Sequence, residues 1–360
     1  MSNLVTASID RLRPYQAGKP IEELERELGI KDAVKLASNE NPLGASPKVL
    51  AALPGLLAQI ARYPDGSAHK LREAIAAFHG VSLEEVICGA GSNELLELLY
   101  RTFTTHEHHA VFGEPSFVIY RAGAMAHGVP FTAVPLTNEV HDLDAMAAAV
   151  TPKTRLLFIA NPNNPTGTYV GRQAVERLLC EVPPEVIIVM DEAYVEYAEA
   201  RDYPDCSKLR SLRERLVVLR TFSKVYGLAS LRVGYALGPA TLIDYMNRLR
   251  PPFNVGHLGQ AAGPIALADQ EHVKLSQSLN SSERRRMERE LTALGFKVTP
   301  SQANFVWVDT GRKASELYEA LLRQGVIVRP FGNFPGHLRI TVGTSAENDR
   351  LFAALGKVLP

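Results

Sequence analysis

Residues 185–194 read EVIIVMDEAY, in which an unbroken apolar run at 186–190 is followed directly by the two carboxylates Asp191 and Glu192. Two further runs have the same form, RLLFIANP at 155–162 and RLVVLRTFS at 215–223. Strands that are buried on both faces carry continuous rather than alternating apolar residues. Helical patterns lie between strand runs, such as NELLELLYRTF (93–103) and RQAVERLLCEV (172–182). The sequence therefore predicts an α/β fold with a mostly parallel central sheet flanked by helices.

The length of the chain favours more than one domain. At 360 residues it exceeds the usual size of a single hydrophobic core. Residues 1–40 are predicted to form an N-terminal arm, with a helix that Gly29 ends. The strand and helix runs place a large domain at 41–250. The stretch LRPPFNVG (249–256) breaks this pattern, and a smaller α+β C-terminal domain is expected at 251–360.

The composition excludes several classes of partner. Lys plus Arg equals Asp plus Glu at 39 each, which gives no support to a nucleic-acid or anionic-membrane surface. No apolar run approaches the roughly 20 residues of a membrane helix, and the N-terminus lacks the apolar core of a signal peptide. Cys88, Cys180 and Cys206 are far apart, as in proteins of reducing compartments. We therefore expect a cytoplasmic protein, and no metal site despite THEHH at 105–109.

The candidate functional residues follow the predicted strands. Asp191, Asn164 and Lys224 each come after an apolar run, and parallel sheets bind ligands at the carboxyl ends of their strands. A carboxylate delivered there needs a cationic partner, which a lysine or a cofactor nitrogen could provide. The stretch GAGSNE (89–94) precedes a helix, with Ser92 as a candidate N-cap. Such a helix start offers free N–H groups to a phosphate.

These motifs occur together with others in one characteristic order. The set is SNENPLG (38–44), RYPDG (62–66), GAGSNELLELL (89–99), EPSFVIY (114–120), NPNNPTG (161–167), DEAYVEY (191–197), TFSKVYGLASLRVGY (221–235), ANFVWV (303–308) and LRITVG (338–343). In this order they resemble the fold-type I pyridoxal-phosphate-dependent aminotransferases and, within that class, the histidinol-phosphate aminotransferase family. The large domain would then bind the cofactor.

The resemblance implies three catalytic residues. Lys224 would form an imine with the cofactor aldehyde and later move the substrate proton, roles that suit an amine with a readily lowered pKa. Asp191 would pair with the protonated pyridine nitrogen and keep the ring an electron sink. Tyr194 would hydrogen-bond the phenolic oxygen of the cofactor together with Asn164.

The resemblance also implies the rest of the cofactor site. The ring would lie between Ala193 and Phe117. The residues expected around the phosphate are Ser92, Asn93, Thr221, Ser223 and Arg232. Tyr63 would reach this phosphate from the other subunit of a homodimer, so that two chains share each active site.

The implied reaction is the transamination of histidinol phosphate with 2-oxoglutarate in histidine biosynthesis. The residues expected to contact the substrate are Tyr15, Asn41, Asn164, Arg329 and Arg339. A forked guanidinium accepts either the phosphate of one substrate or a carboxylate of the other. Three alternatives stay open: an aromatic amino-acid aminotransferase, an enzyme similar to threonine-phosphate decarboxylase, and a non-catalytic ligand-binding protein with a degenerate site.

Overall fold

The computed structural model describes residues 5–12, 14 and 18–359 of the protein. Within these residues the strands are β1 (Val34–Lys35), β2 (Val86–Gly89), β3 (His109–Glu114), β4 (Phe131–Pro135), β5 (Thr154–Ala160), β6 (Ile187–Asp191), β7 (Leu216–Thr221), β8 (Gly234–Leu237), β9 (Lys297–Thr299), β10 (Phe305–Asp309), β11 (Val326–Ile327), β12 (Arg329–Phe331) and β13 (Phe334–Thr341). The α-helices are α1 (Ala7–Asp10), α2 (Ile21–Leu28), α3 (Pro47–Leu56), α4 (His69–His79), α5 (Ser92–Phe103), α6 (Val118–Ala126), α7 (Leu143–Ala148), α8 (Arg172–Glu181), α9 (Ala240–Leu249), α10 (His257–Ala268), α11 (Gln270–Ala293), α12 (Ala314–Arg323) and α13 (Ser345–Val358).

The largest sheet has seven strands in the order β2-β8-β7-β6-β5-β3-β4. The strands β7, β6, β5, β3 and β4 are parallel to their neighbours in this group, while β8 runs antiparallel to both β2 and β7. Helices cover both faces. The predicted fold class, a mostly parallel sheet flanked by helices, is therefore confirmed.

Alternate side chains of each central strand enter different cores. On β6, Ile188 and Met190 pack with residues of α8, whereas Ile187 and Val189 pack on the other face with residues of α5. All four are buried. Each fully buried side chain of this size contributes about 1.5–3 kcal/mol, so the strand is fixed from both sides. This double burial explains the continuous apolar run in the sequence, and it holds the carboxyl end of β6 rigidly.

A second, antiparallel sheet has the order β12-β13-β10-β9. It shares a core with α12 and α13, which agrees with the expected α+β unit. The N-terminal segment joins this unit, because β1 pairs in parallel with β11 and Leu36 lies in the same core. The helix α2 ends at Gly29, whose φ of 64° is left-handed, as the sequence predicted.

The hydrophobic cores do not divide the chain at residue 250. Ala262 and Ala266 of α10, and Val273 at the start of α11, pack in the core of the large sheet. Met287 and Leu291, farther along α11, pack with the small sheet. The helix α11 thus passes from one core to the other, and the expected three-part division stays a prediction. None of the helices in the described ranges has an apolar stretch long enough to cross a lipid bilayer.

Candidate active site

The carboxyl ends of β5, β6 and β7 border a cavity of about 270 Å³ that the small sheet closes from the other side. Most of the residues that the sequence predicted for the site line it: Ser92, Asn93, Phe117, Asn164, Asp191, Ala193, Tyr194, Thr221, Ser223, Lys224, Arg232, Arg329 and Arg339. Residues far apart in sequence are thus brought into one site. Their individual roles stay predictions.

Lys224 follows β7 by three residues and extends its amine into the cavity. Its Nζ donates a hydrogen bond of 3.3 Å to the carbonyl oxygen of Ser38 and lies 5.6 Å from the ring centre of Tyr194. Burial, followed by the positive charge of Arg339, lowers the pKa of Lys224 to about 8. A large share of this amine is therefore neutral near pH 8 and able to act as a nucleophile or a base.

Asp191 is the last residue of β6 and is buried. Its Oδ2 accepts a hydrogen bond of 2.7 Å from the hydroxyl of Tyr120. Its Oδ1 has no hydrogen-bond partner within the part of the chain that the structure describes. Burial raises the pKa of Asp191 to about 6. A buried carboxylate oxygen without a donor is costly, so a cationic N–H group of a ligand would stabilise this arrangement.

Tyr194 belongs to a polar network on the far side of Lys224. Its hydroxyl accepts hydrogen bonds from the side-chain amides of Asn39 (2.9 Å) and Asn164 (3.4 Å). The oxygen of the Asn164 amide in turn accepts from Arg339 at 2.6 Å, and Arg339 also donates to the carbonyl of Ala37 at 2.6 Å. The network links the strand ends of the large sheet to the small sheet, so it fixes one wall of the cavity.

The other end of the cavity is rich in hydrogen-bond donors. The helix α5 begins here, and Ser92 is its first residue rather than the N-cap that the sequence predicted. Gly91 occupies the N-cap position, with a left-handed φ of 76°. The positive φ favours glycine at position 91, and a Cβ there would lie 2.5 Å from Arg232 Nη2 and displace that guanidinium. The hydroxyl of Thr221 lies 3.0 Å from that of Ser223. Together these groups place hydrogen-bond donors at this end of the cavity, where the cofactor phosphate was expected.

Arg232 itself has a left-handed backbone, with φ 51°. This conformation is uncommon for a residue other than glycine or asparagine and persists where the surroundings impose it. Its guanidinium donates to the carbonyl of Ala229 at 2.9 Å and to the Ser223 hydroxyl at 3.4 Å. The strained backbone thus directs a cation to the donor-rich end of the cavity.

Two arginines of the small sheet face the same cavity. Arg329 on β12 lies directly opposite Arg339 on β13 in the antiparallel register. Like charges placed opposite each other on paired strands are destabilising. Both residues therefore bring positive charge to one wall of the cavity, and their expected contact with the substrate stays a prediction.

A buried ion pair between Glu192 and Arg220 stabilises the carboxyl end of β6. The second carboxylate of the DEAY motif, Glu192, is fully buried and accepts two hydrogen bonds from Arg220 on β7, at 2.8 and 3.1 Å. Arg220 also donates to Asp205 at 2.6 Å. This network neutralises Glu192 outside the cavity and leaves Asp191 as the carboxylate that faces it.

Three predicted residues are not among those lining the cavity. The amide of Asn41 instead donates to the Val225 carbonyl at 2.7 Å and to the Ser276 hydroxyl at 2.8 Å, and its expected contact with the substrate stays a prediction. Tyr63 is 83% exposed and stacks on Phe253 with ring centres 4.6 Å apart. Tyr15 lies outside the described residues.

Two residues that the sequence analysis did not single out bind predicted site residues through side-chain hydrogen bonds. Asn39 lines the cavity, and Tyr120 holds Asp191. Both lie in motifs that the sequence analysis used, SNENPLG and EPSFVIY, and Asn39 has a left-handed φ of 55°. Asparagine in a turn-rich segment is a signal for that conformation. No local pattern indicates the contact of Tyr120.

The comparisons with known proteins agree with this geometry. A family model for aminotransferase class I and II matches residues 31–355, and the chain belongs to that family. It is an aminotransferase, as the sequence predicted. Histidinol-phosphate aminotransferase 2 of Pseudomonas fluorescens is 48% identical over 360 residues, which cover 99% of this chain and 97% of that protein. A histidinol-phosphate aminotransferase of Anaeromyxobacter sp. is 49% identical over 360 residues, with 99% of each covered.

A solved structure gives the same result. The crystal structure of histidinol-phosphate aminotransferase from Sinorhizobium meliloti, in complex with pyridoxal-5'-phosphate, is similar to this chain with a TM-score of 0.90. The two sequences are 30% identical, and the match covers 99% of this chain and 98% of that one. The similarity therefore extends over both sheets and the cavity between them.

Proposed function

We propose that the protein is a pyridoxal-phosphate-dependent transaminase of histidine biosynthesis. It would exchange the amino group between histidinol phosphate and 2-oxoglutarate, with imidazole-acetol phosphate and L-glutamate as products. The observation that carries the proposal is the single cavity that joins Lys224, the buried Asp191 and two opposed arginines. The names of the relatives, which match over nearly the whole chain, point to the same substrate.

The residues of the cavity fit pyridoxal phosphate. The Asp191 Oδ1 that has no donor among the described residues would accept from the pyridine nitrogen. The donor-rich end formed by α5, Thr221, Ser223 and Arg232 suits a phosphate dianion. Lys224 would hold the aldehyde carbon. When bound, this cofactor supplies a cationic ring that accepts electrons from the substrate carbon.

Lys224 provides the proton-transfer group of the proposed reaction. Its lowered pKa lets the amine take up and release a proton near neutral pH, as a general acid–base catalyst must. The Ser38 carbonyl and the Tyr194 ring hold its Nζ in place. Arg339 keeps a positive charge near the amine and thereby favours its neutral form. The residue thus combines a nucleophile and a base in one position.

The two arginines account for the need to bind different anions in turn. Histidinol phosphate has a phosphate and no carboxylate, whereas glutamate has two carboxylates. Arg339 is held by Asn164 and the Ala37 carbonyl, which presents its guanidinium in a fixed orientation. Arg329 adds the second positive charge from the paired strand. A bidentate guanidinium binds phosphate and carboxylate with similar geometry.

A homodimer completes the proposed site. Tyr63, Phe253 and Ile60 are exposed apolar or aromatic side chains on one surface, beside Ser230 and Leu231. Ser230 and Leu231 lie in the chain between Ala229 and Arg232, both of which line the cofactor cavity. This surface therefore adjoins the phosphate end of the cavity, where a second copy's Tyr63 would contact the phosphate. The three free cysteines fit a cytoplasmic enzyme.

A mixing experiment tests the shared site. Lys224→Ala and Tyr63→Ala are each purified, unfolded together at equal concentration and refolded. In a shared-site dimer, each mixed dimer contains one site with both native residues, so about a quarter of the parent activity should return. Activity equal to the mean of the two variants would contradict the shared site.

A coupled assay tests the substrate. Histidinol phosphate, phenylalanine, tyrosine and threonine phosphate are compared as amino donors to 2-oxoglutarate, with glutamate and carbon dioxide measured as products. We expect the highest kcat/KM for histidinol phosphate and no release of carbon dioxide. A preference for phenylalanine or tyrosine would assign the protein to aromatic amino acids. Carbon dioxide released from threonine phosphate would assign it as a decarboxylase.

A further inference from the structure

The hydroxyl of Tyr120 contacts the carboxylate on which the proposed cofactor site depends. Tyr120 lies in the first turn of α6 and is fully buried. It donates a hydrogen bond of 2.7 Å to Asp191 Oδ2. The other oxygen of the same carboxylate, Oδ1, has no partner in the described ranges. The two oxygens are therefore distinguished by one hydroxyl group.

The ring of Tyr120 is held from several sides. It stacks on Phe158, with ring centres 5.1 Å apart and an interplanar angle of 13°. The edge of Phe117 lies against it at 5.8 Å. The backbone carbonyl of Tyr120 accepts a hydrogen bond of 2.8 Å from the hydroxyl of Tyr100. These contacts fix the direction in which the Tyr120 hydroxyl points, so it serves as a preorganised donor.

We propose that Tyr120 is a positioning residue that binds Asp191 Oδ2, directs Oδ1 toward the ring nitrogen of the cofactor and keeps the carboxylate ionised in a buried site. The inference rests on the proposed function, because it assumes that Asp191 pairs with that nitrogen. Through Tyr120, the helix α6 would then orient a residue of the cofactor site in addition to packing against the sheet.

The ionisation of the two groups agrees with this assignment. Burial raises the pKa of Asp191 to about 6, and the hydrogen bond from Tyr120 acts in the opposite direction. Burial also raises the pKa of Tyr120 well above its ordinary value, so the residue remains a donor throughout the range of an assay. The other charges that act on Asp191 are those of Glu192, which raises its pKa, and Lys224, which lowers it. Tyr194 and Tyr100 are the other titratable groups that act on Tyr120.

The test is the pH dependence of cofactor affinity in Tyr120→Phe. Removing the donor should raise the pKa of Asp191 by about one unit or more, since the hydrogen bond favours its charged form. The dissociation constant of pyridoxal phosphate is measured by equilibrium dialysis of the apo-protein from pH 5 to 9. We expect binding to be weakened up to about tenfold near pH 5 and to approach that of the parent above pH 8.

Tyr235→Phe is the matched control. It removes a hydroxyl from an equally buried tyrosine, on β8, but that hydroxyl lies 2.9 Å from His79 Nε2 rather than against Asp191. Its pH profile should follow the parent's. Thermal unfolding of both variants shows whether the loss of a buried hydroxyl affects the fold to the same extent. A merely structural role of Tyr120 would instead weaken binding by the same factor at every pH.

Asp191→Asn separates failure of the inference from failure of the proposed function. If Asp191→Asn weakens binding and Tyr120→Phe follows the parent from pH 5 to 9, the role of Tyr120 is refuted and the proposed function stands. If Asp191→Asn also binds like the parent at every pH, the cofactor nitrogen does not pair with Asp191, and the proposal and the inference fail together.

Discussion

Lys224 should capture pyridoxal phosphate with a pH dependence set by its own lowered pKa. The amine is surrounded by protein, and Arg339 adds a positive charge near it, so the pKa falls from its ordinary value of 10.5 to about 8. Only the neutral amine attacks an aldehyde. When apo-protein is mixed with the cofactor over pH 6–10, the rate of covalent attachment should rise with pH below 8 and level off above it.

The size of the effect follows from the two pKa values. At pH 7.5 an amine with a pKa of about 8 is roughly one quarter neutral, whereas one with a pKa of 10.5 is about 0.1% neutral. The neutral fraction therefore differs by roughly 200-fold at this pH. Below pH 7 the rate should change about tenfold for each pH unit.

The assay follows the absorbance of the bound cofactor by stopped flow. The same measurement with Nα-acetyl-lysine, after its rate is divided by the neutral fraction of its own amine, gives the pH dependence of the cofactor itself, by which the protein rates are divided. Lys224→Ala gives the contribution of other lysines. A corrected rate that keeps rising between pH 9 and 10 would refute the reasoning, because it would show an amine with an unperturbed pKa.

Three other substitutions, the last of them paired with a control substitution, have expected outcomes. Asp191→Asn is assayed at saturating cofactor because its affinity for the cofactor is expected to fall. It should lose about 10²-fold or more in kcat, since a preorganised charge is removed from the site; near-parent turnover in the coupled assay would show that this charge is not used. Arg329→Ala should raise the KM for histidinol phosphate by about ten- to a hundredfold and that for phenylalanine less, and an equal change for both would indicate a general anion site. Arg220→Leu leaves Glu192 buried without its cation and should lower the free energy of unfolding by about 3–5 kcal/mol in urea titrations. The control, Arg248→Leu, breaks an exposed ion pair on α9 and should lower the free energy of unfolding by less than about 1 kcal/mol. If Arg220→Leu and Arg248→Leu lowered it by similar amounts, the role of burial would be contradicted.

The strand ends could be predicted from sequence because their signals are local. Continuous apolar runs mark β5, β6 and β7, and polar residues follow each run directly. Since parallel strands end at one edge, Asp191 and Lys224 were expected together before any contact was known. The direction of β8 was not predictable in this way, because an apolar run has the same composition whichever way it crosses the sheet.

The missed residues depend on contacts between distant parts of the chain. Tyr120 is 71 positions from Asp191, and Asn39 is 155 positions from Tyr194. The SNENPLG stretch contains two asparagines two residues apart, and the sequence alone favoured Asn41 for the substrate. The left-handed backbone of Asn39 places its amide on Tyr194, while that of Asn41 binds Val225 and Ser276.

The most direct test of the account is the site of covalent attachment. Protein loaded with pyridoxal phosphate is reduced with borohydride and digested, and the modified peptide is identified by mass spectrometry. We expect the cofactor on Lys224 in the parent, and neither labelling of that peptide nor turnover in Lys224→Ala. A label on a different lysine of the parent, or persistent transamination by Lys224→Ala, would contradict the assignment of the cavity as the catalytic site.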